Sequence, residues 1–170
     1  IEPRVYDDKR GFFYESYRRQ EFENHGIRDE FIQDNHCHSQ KGVLRGLHFQ
    51  EEPFGQTKLV RVVKGSVFDV IVDIRESSKT FGKHLGIELS AKNKKILYVP
   101  IGFAHGYCVL KDDTEVLYKV SAVWSPPHEK GIIWNDPALK INWPKLDTEY
   151  SLSEKDRQYP TLKEYFKNQR

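Results

Sequence analysis

The chain predicts an all-β fold of the sandwich, barrel or jelly-roll kind, and three observations carry that prediction. Short β-branched or alternating segments recur at regular spacing through the middle of the chain. Turn-forming clusters separate them, at Ala91-Lys-Asn-Lys94, Lys111-Asp-Asp-Thr114, Ser125-Pro-Pro127 and Asn135-Asp-Pro137. Aromatic content reaches 13%, with 11 Gly and 8 Pro, which suits short strands and many turns.

Taken in order, the first helix signal runs from Arg19 to His25 and stops at Gly26. Leu59 to Val63 and Val67 to Ile74 are β-branched runs, and Lys64-Gly65 between them predicts a tight hairpin. In the second run Phe68, Val70, Val72 and Ile74 share one face, and Val67, Asp69, Ile71 and Asp73 share the other. One face is expected to pack between sheets and the other to line a polar cavity. Further strands are predicted at Leu85 to Leu89, Ile96 to Val99, Gly106 to Leu110 and Glu115 to Val123. A short C-terminal helix is predicted over Thr161 to Asn168, behind a Thr cap.

Neither an internal repeat nor a low-complexity stretch interrupts this pattern, so residues 1–170 read as a single domain with one sizeable core. The formal charge is only +2, and the charges do not cluster by sign, which argues against nucleic acid as a main partner. No apolar segment reaches membrane-spanning length and the start is not signal-like, so no membrane partner is expected. Two cysteines far apart, Cys37 and Cys108, make a disulfide framework a poor expectation and a reducing cytoplasm the better one. The sequence opens at Ile1 and holds no Met, so a trimmed or missing N-terminal segment is expected.

Two motifs carry most of the chemistry. Gly42-Val-Leu-Arg-Gly-Leu-His48-Phe-Gln50, with Pro100-Ile-Gly102-Phe-Ala-His105 downstream, resembles the two-part outline of a cupin barrel. A metal-binding cupin has a second His two residues after the first and a Glu soon after. Here Gln50 holds the second position and Phe54 or Gly55 the third. Neutral amides are poor ligands for borderline metals. The expectation is therefore no metal, with histidines available for proton transfer.

Read one at a time, the polar residues leave alternatives open. His48 is either a satisfied structural histidine or a general base at the barrel mouth, and in a regular strand it shares a face with Leu44, Gly46 and Gln50. His105 poses the same choice, and Asp69 on a neighbouring run could accept its ring N–H. Tyr118 shares a face with Val116 and Val120 and reads as a core tyrosine, while Lys58 opens a strand and would ordinarily reach for solvent. Ser153 followed by Asp156 mimics a capping box, and Glu129 and Lys155 read as surface charges. His36 and His38 could chelate from one strand face, but further ligands at sensible spacing are not evident, so Asn35 to Ser39 is expected to be a polar loop.

Nine blocks in order, from about residue 2 to residue 160, resemble the dTDP-4-dehydrorhamnose 3,5-epimerase family. They are Arg10-Gly-Phe-Phe-Tyr-Glu15, Gln33-Asp-Asn35, Gly42 to Gln50, Lys58-Leu-Val-Arg61, Val67-Phe-Asp-Val70, Pro100 to Gly106, Leu117-Tyr-Lys119, Ile133-Trp-Asn-Asp136 and Ser153-Glu-Lys-Asp156. The resemblance implies a cofactor-independent isomerase on a cupin jelly roll. It implies a homodimer whose N-terminal segments help complete the partner's site.

By position, His48 is similar to the family's proton acceptor and Asp156 to the carboxylate that orients it. Tyr118 matches the proton donor and Lys58 the cation beside the sugar. Arg10, Glu15, Gln33, Asn35, Arg45, His105, Glu129 and Lys155 match substrate contacts, the substrate being a dTDP-linked 4-keto-6-deoxyhexose. Cys37 stands where relatives commonly carry Ser. Strict alternation sets Arg45 opposite His48, although the resemblance gives both to the substrate. A bulge or sharp twist at Gly46 would reconcile them, and so would Arg45 reaching a phosphate around the strand edge. Three competing readings remain at this level: an epimerase acting at C3 alone, a metal-dependent cupin enzyme, and a non-catalytic sugar-nucleotide binding module.

Overall fold

The computed structural model describes residues 1–168. Two antiparallel sheets face each other as a jelly roll. The four-stranded sheet runs β3 (Gln33–Ser39), β10 (Thr114–Val120), β5 (Lys58–Lys64), β8 (Ile96–Val99). The five-stranded sheet runs β11 (Glu129–Gly131), β4 (Leu44–Gln50), β9 (Phe103–Val109), β6 (Ser66–Asp73), β7 (His84–Ser90). A separate two-stranded hairpin, β1 (Tyr6–Asp8) with β2 (Gly11–Phe13), lies at the N-terminus. The helices are short: α1 (Arg19–Asn24), α2 (Glu154–Gln158) and α3 (Leu162–Lys167). None of the described helices is long and apolar enough to cross a membrane.

Two apolar layers hold this arrangement. Between the sheets, Val60, Val62, Leu97, Val99 and Val116 from one side meet Val67, Ile71, Leu89, Tyr107 and Val109 from the other. The second layer lies on the outer side of the five-stranded sheet. There Leu47, Phe49, Val70, Val72 and Ala104 are roofed by Ile132, Leu139, Leu162 and Tyr165 of the C-terminal segment. Each fully buried Val, Leu or Ile contributes on the order of 1.5–3 kcal/mol.

This second layer corrects the expected placement of the β6 faces. The all-apolar face, Phe68 to Ile74, packs under the C-terminal segment, and the mixed face with Asp69 points between the sheets. Helix α3 forms as the sequence predicts, with Thr161 and Glu164 closing a reciprocal capping box.

The hairpin predicted at Lys64-Gly65 does not form. β5 pairs with β10 and β8, whereas β6 pairs with β7 and β9, so the turn carries the chain from one sheet to the other. Gly65 sits there at φ +76°, a conformation that serves a sheet-crossing corner as well as a hairpin. Asn35 to Ser39, expected as a polar loop, lie instead within strand β3. Its exposed outer side carries His36 and His38, which pair with Glu115 at 3.1 Å and Asp113 at 3.2 Å on the β10 side.

Candidate active site

Alternation along β3, β5 and β10 sends Gln33, Asn35, Lys58 and Tyr118 into the space between the sheets, and β4 sends in His48 from the opposite wall. Together with Glu129 and Trp124 at the rim they line a cavity of about 400 Å³.

His48 is fixed from three directions. It pairs across β4 with Gly131 on β11 and with His105 on β9. Its Nε2 lies 2.5 Å from Oδ1 of Asp156, a residue 108 positions away in sequence. A short parallel contact delivers Asp156. Leu44 N–H donates to Ser151 and Ser151 N–H donates to Gly42, which docks the C-terminal segment at the start of β4.

Ser153 then caps α2. Its hydroxyl accepts from the Asp156 N–H at 3.1 Å and donates to Asp156 Oδ2 at 2.8 Å. The cap expected from the sequence and a carboxylate for the histidine are thus one structure. Asp156 is only 5% exposed, against 29% for His48. Burial works to raise the pKa of this carboxyl. The His48 bond and charge, with the Ser153 hydroxyl and the Gly46 backbone, outweigh it and hold the carboxyl below its usual range.

Arg45 and His48 emerge on the same side. Arg45 pairs with Tyr107 and His48 with His105, so two residues of β4, Gly46 and Leu47, oppose the single Gly106 of β9. The regular strand expected for Leu44 to Gln50 is corrected accordingly: Leu44 turns to the outer side with Cys108, and Arg45 turns inward. The Arg45 guanidinium donates to the Ser39 hydroxyl at 3.1 Å, and its charge acts on Tyr107 and Tyr118.

On the opposite wall, burial drives Lys58 down to about 8, against the pull of the Asp69 and Glu129 carboxylates. Its ammonium makes no hydrogen bond or ion pair with the described residues. Tyr118 is raised above its ordinary value, first by burial and then by Cys37, with Arg45 opposing. At the rim, one oxygen of Glu129 accepts from Trp124 Nε1 at 2.8 Å and meets Lys155 Nζ at 2.7 Å. Burial works to raise this carboxyl too, but Lys155 and Trp124 bring it below the ordinary range.

His105 is set back from the open cavity, 7% exposed, with Nε2 2.8 Å from Asp69 Oδ1. The pairing with Asp69 is the one the sequence suggested. Arg10 and Glu15 do not reach the cavity of their own chain. Arg10 pairs with Asp8 at 2.5 Å on the exposed N-terminal hairpin, and Glu15 lies near Arg18 in a separate groove.

Gln50, where a metal-binding cupin would have its second His, clamps the rim instead. Its amide donates to Phe54 O at 2.7 Å and Val123 O at 3.1 Å and accepts from Ser125 N–H at 2.6 Å. Among the described residues no three His, Cys, Asp or Glu side chains converge as a metal site.

The family model for dTDP-4-dehydrorhamnose 3,5-epimerase matches residues 1–164. The chain belongs to the dTDP-4-dehydrorhamnose 3,5-epimerase family. As a member of it, the chain is an isomerase on a cupin-type fold. A dTDP-4-dehydrorhamnose 3,5-epimerase of Shigella flexneri is 54% identical over 157 residues, covering 92% of this chain and 86% of that protein. The crystal structure of a 3,5-epimerase from Legionella pneumophila, in complex with dTDP-4-keto-L-rhamnose, superposes with a TM-score of 0.92. It is 47% identical and covers 95% of this chain and 86% of its own. A 3'-monoepimerase from Streptomyces bikiniensis, in complex with dTDP-quinovose, gives a TM-score of 0.93 at 33% identity, covering 99% of this chain and 85% of its own.

In and around this cavity, residues unmarked in the sequence are Gln56, which lines it, and Tyr159, whose ring lies 5.7 Å from that of His48. No spacing rule singles out either one, because each meets the site through contacts distant in sequence.

Proposed function

We propose that this epimerase inverts C3 and C5 of dTDP-4-dehydro-6-deoxy-glucose to give dTDP-4-dehydro-L-rhamnose. One observation carries the reading: His48 and Tyr118 stand on opposite walls of a single cavity, one on each sheet. Inversion at carbon requires removal of a proton from one side and delivery from the other. A base and an acid on facing sheets supply both.

The hydrogens on C3 and C5 flank the C4 ketone and become acidic only when the enolate is stabilised. His48 takes the proton, with Asp156 accepting its Nε2–H and so fixing the tautomer that leaves the other ring nitrogen free. Lys58 provides positive charge for the enolate oxygen, worth roughly 3–4 kcal/mol of barrier for a preorganised group of this type. Tyr118 returns a proton on the far side, and the same sequence at the second carbon completes the product. Gln33, Asn35 and the Glu129–Lys155 pair line or flank the space left for the sugar. Arg45 supplies an inward cation for the diphosphate.

The position of Arg10 and Glu15 supports a homodimer in this reading. Both match substrate contacts by resemblance yet lie off their own cavity, on or beside a hairpin whose Phe12 and Phe13 are 59% and 67% exposed. Such a hairpin suits closure of a second copy's cavity. The free thiols of Cys37 and Cys108 suit a reducing cytoplasm.

The test is proton exchange in heavy water with the 4-keto nucleotide sugar, following C3 and C5 separately. The expected outcome is deuterium entering both carbons with the wild-type chain and neither with His48→Ala, while thymidine diphosphate still binds the variant. Near-normal turnover in His48→Ala would overturn the assignment. Likeness to the 3'-monoepimerase supports inversion at C3 alone as the second reading, and wash-in restricted to C3 would establish it.

A further inference from the structure

Tyr159 is the one aromatic ring in contact with the His48 imidazole among the described residues, meeting it at an interplanar angle of 69°. It follows directly on α2, the helix that presents Asp156. The chain is pinned just beyond it, where Ile133 N–H donates to Pro160 O at 2.8 Å.

Its ring lies over Gly131, the cross-strand neighbour of His48. A Cβ on Gly131 would come within 2.4 Å of Tyr159 Cε2 and 2.5 Å of Cζ, so the ring fills the place a side chain there would take. The Tyr159 hydroxyl is buried without a hydrogen bond of ordinary geometry, and Lys155 is the cation acting on it. Burial raises the phenol above its usual range, against that charge. Lys155 is thus the group that engages the hydroxyl, and Tyr159→Phe separates its effect from that of the ring against Gly131 and the imidazole.

We propose that Tyr159 is a positioning residue for the His48–Asp156 pair, its ring seated on Gly131 fixing the imidazole plane and keeping water from the bond between them. The inference rests on the base assignment for His48 but is read by a separate signal. Edge-on packing restricts rotation of the imidazole about its Cβ bond. Excluding water strengthens a charge-assisted bond that solvent would otherwise compete for. Misplacing a base costs rate without touching the groups that bind nucleotide.

Three variants test it: Tyr159→Ala removes the ring, Tyr159→Phe keeps it, and Gly131→Ala pushes it aside while leaving Tyr159 in the chain. Turnover is measured with substrate saturation. The hydrogen-bonded His48 Nε2 proton is followed by NMR in the substrate-free protein. Tyr159→Ala and Gly131→Ala are expected to lower kcat roughly tenfold with KM little changed. Both should speed exchange of the Nε2 proton with water. Tyr159→Phe should restore the protected proton and most of the turnover.

A Tyr159→Ala variant with kcat within about twofold of wild type and a protected proton overturns the inference. So does a Phe variant as impaired as Ala, which would make the hydroxyl the working part. If His48→Ala were to keep turnover, the base assignment would fail. The protection measured on wild type and the Tyr159 variants would still decide what the ring does.

Discussion

Arg45 and His48 project from the same side of β4 because Gly46 and Leu47 together oppose the single residue Gly106 on β9. The extra residue is accommodated by two glycines in contact. Gly46 takes φ +119°, and a Cβ on it would lie 2.6 Å from Gly106 Cα and 2.7 Å from His105 O. Gly46→Ala is therefore expected to destabilise the fold by about 3 kcal/mol, from backbone strain together with the clash. Activity of the remaining folded fraction should fall with it, because restoring a regular strand would turn one of the two side chains away. Urea unfolding and turnover, measured on the same preparation, check both effects.

The Ser153 hydroxyl serves the helix and the carboxylate at once. Ser153→Ala should cost about 1 kcal/mol of stability through the lost cap. It should lower turnover only several-fold, because the His48 bond to Asp156 Oδ1 remains. Asp156→Asn keeps the shape but loses the charge. Its expected effect is on the order of ten thousandfold in kcat, by analogy with other histidine–carboxylate pairs. Equal losses in the two variants would refute the separation of cap from orientation.

Lys58 carries the expected pH dependence. Its ammonium is present below about pH 8 and is lost above, so kcat/KM should decline along an alkaline limb centred there. Tyr118 does not produce that limb, because its phenol is shifted upward from the ordinary tyrosine value. Lys58→Arg stays charged at any accessible pH, so the limb should move upward even if the rate is lower. A limb that stays near pH 8 in the Arg variant would assign it to another group.

Asp73 illustrates stability rather than chemistry. It is 1% exposed and accepts from Arg75, Ser78 and Thr80, which ties down the loop after β6. The Arg75 guanidinium holds its carboxyl well below the usual range, against the effect of burial. A carboxyl depressed in the folded state contributes stability that is complete above the unfolded value of about 3.9 and is lost as pH falls below it. Asp73→Ala should thus lower stability by about 2 kcal/mol at pH 7. The gap to wild type should narrow at pH 3, as read from urea midpoints.

Strand positions in the sequence were legible from period-two alternation, and β8 from Ile96 to Val99 falls where that pattern placed it. The partner of each strand was less legible. A glycine turn such as Gly65 has the same local chemistry whether it folds a hairpin or crosses between sheets, so only long-range pairing distinguishes them. The faces of β6 were ambiguous for a similar reason. A uniformly apolar face can pack inside a sandwich or beneath a C-terminal cover, and composition does not tell the two apart.

In the site, His48 and His105 were marked by motif, and the His105–Asp69 pair by strand parity. The docking of Asp156 on His48 depends on the Val43–Ser151 bridge, which no spacing rule reveals. Only the family resemblance raised Asp156 above a helix cap. Arg10 and Glu15 show the reverse limit, where resemblance named residues that a single chain keeps away from its own cavity.

Tyr118 offers the sharpest division of labour. It faces His48 across the cavity, half-buried and without a hydrogen bond of its own among the described residues, which leaves its proton free for the donor role proposed above. Burial raises its pKa, which keeps it protonated at neutral pH. Tyr118→Phe removes the donor and leaves His48, Asp156 and Lys58 in place. The variant should still exchange the C3 and C5 hydrogens with solvent, since His48 can take a proton and return it from the same side. Completed inversion should fall by a factor of about 10² to 10⁴, the usual range for losing a general acid. Deuterium wash-in and product formation, measured in one reaction, separate the two steps. Loss of both to the same degree would mean that one group serves as base and acid, and the facing walls would lose their meaning.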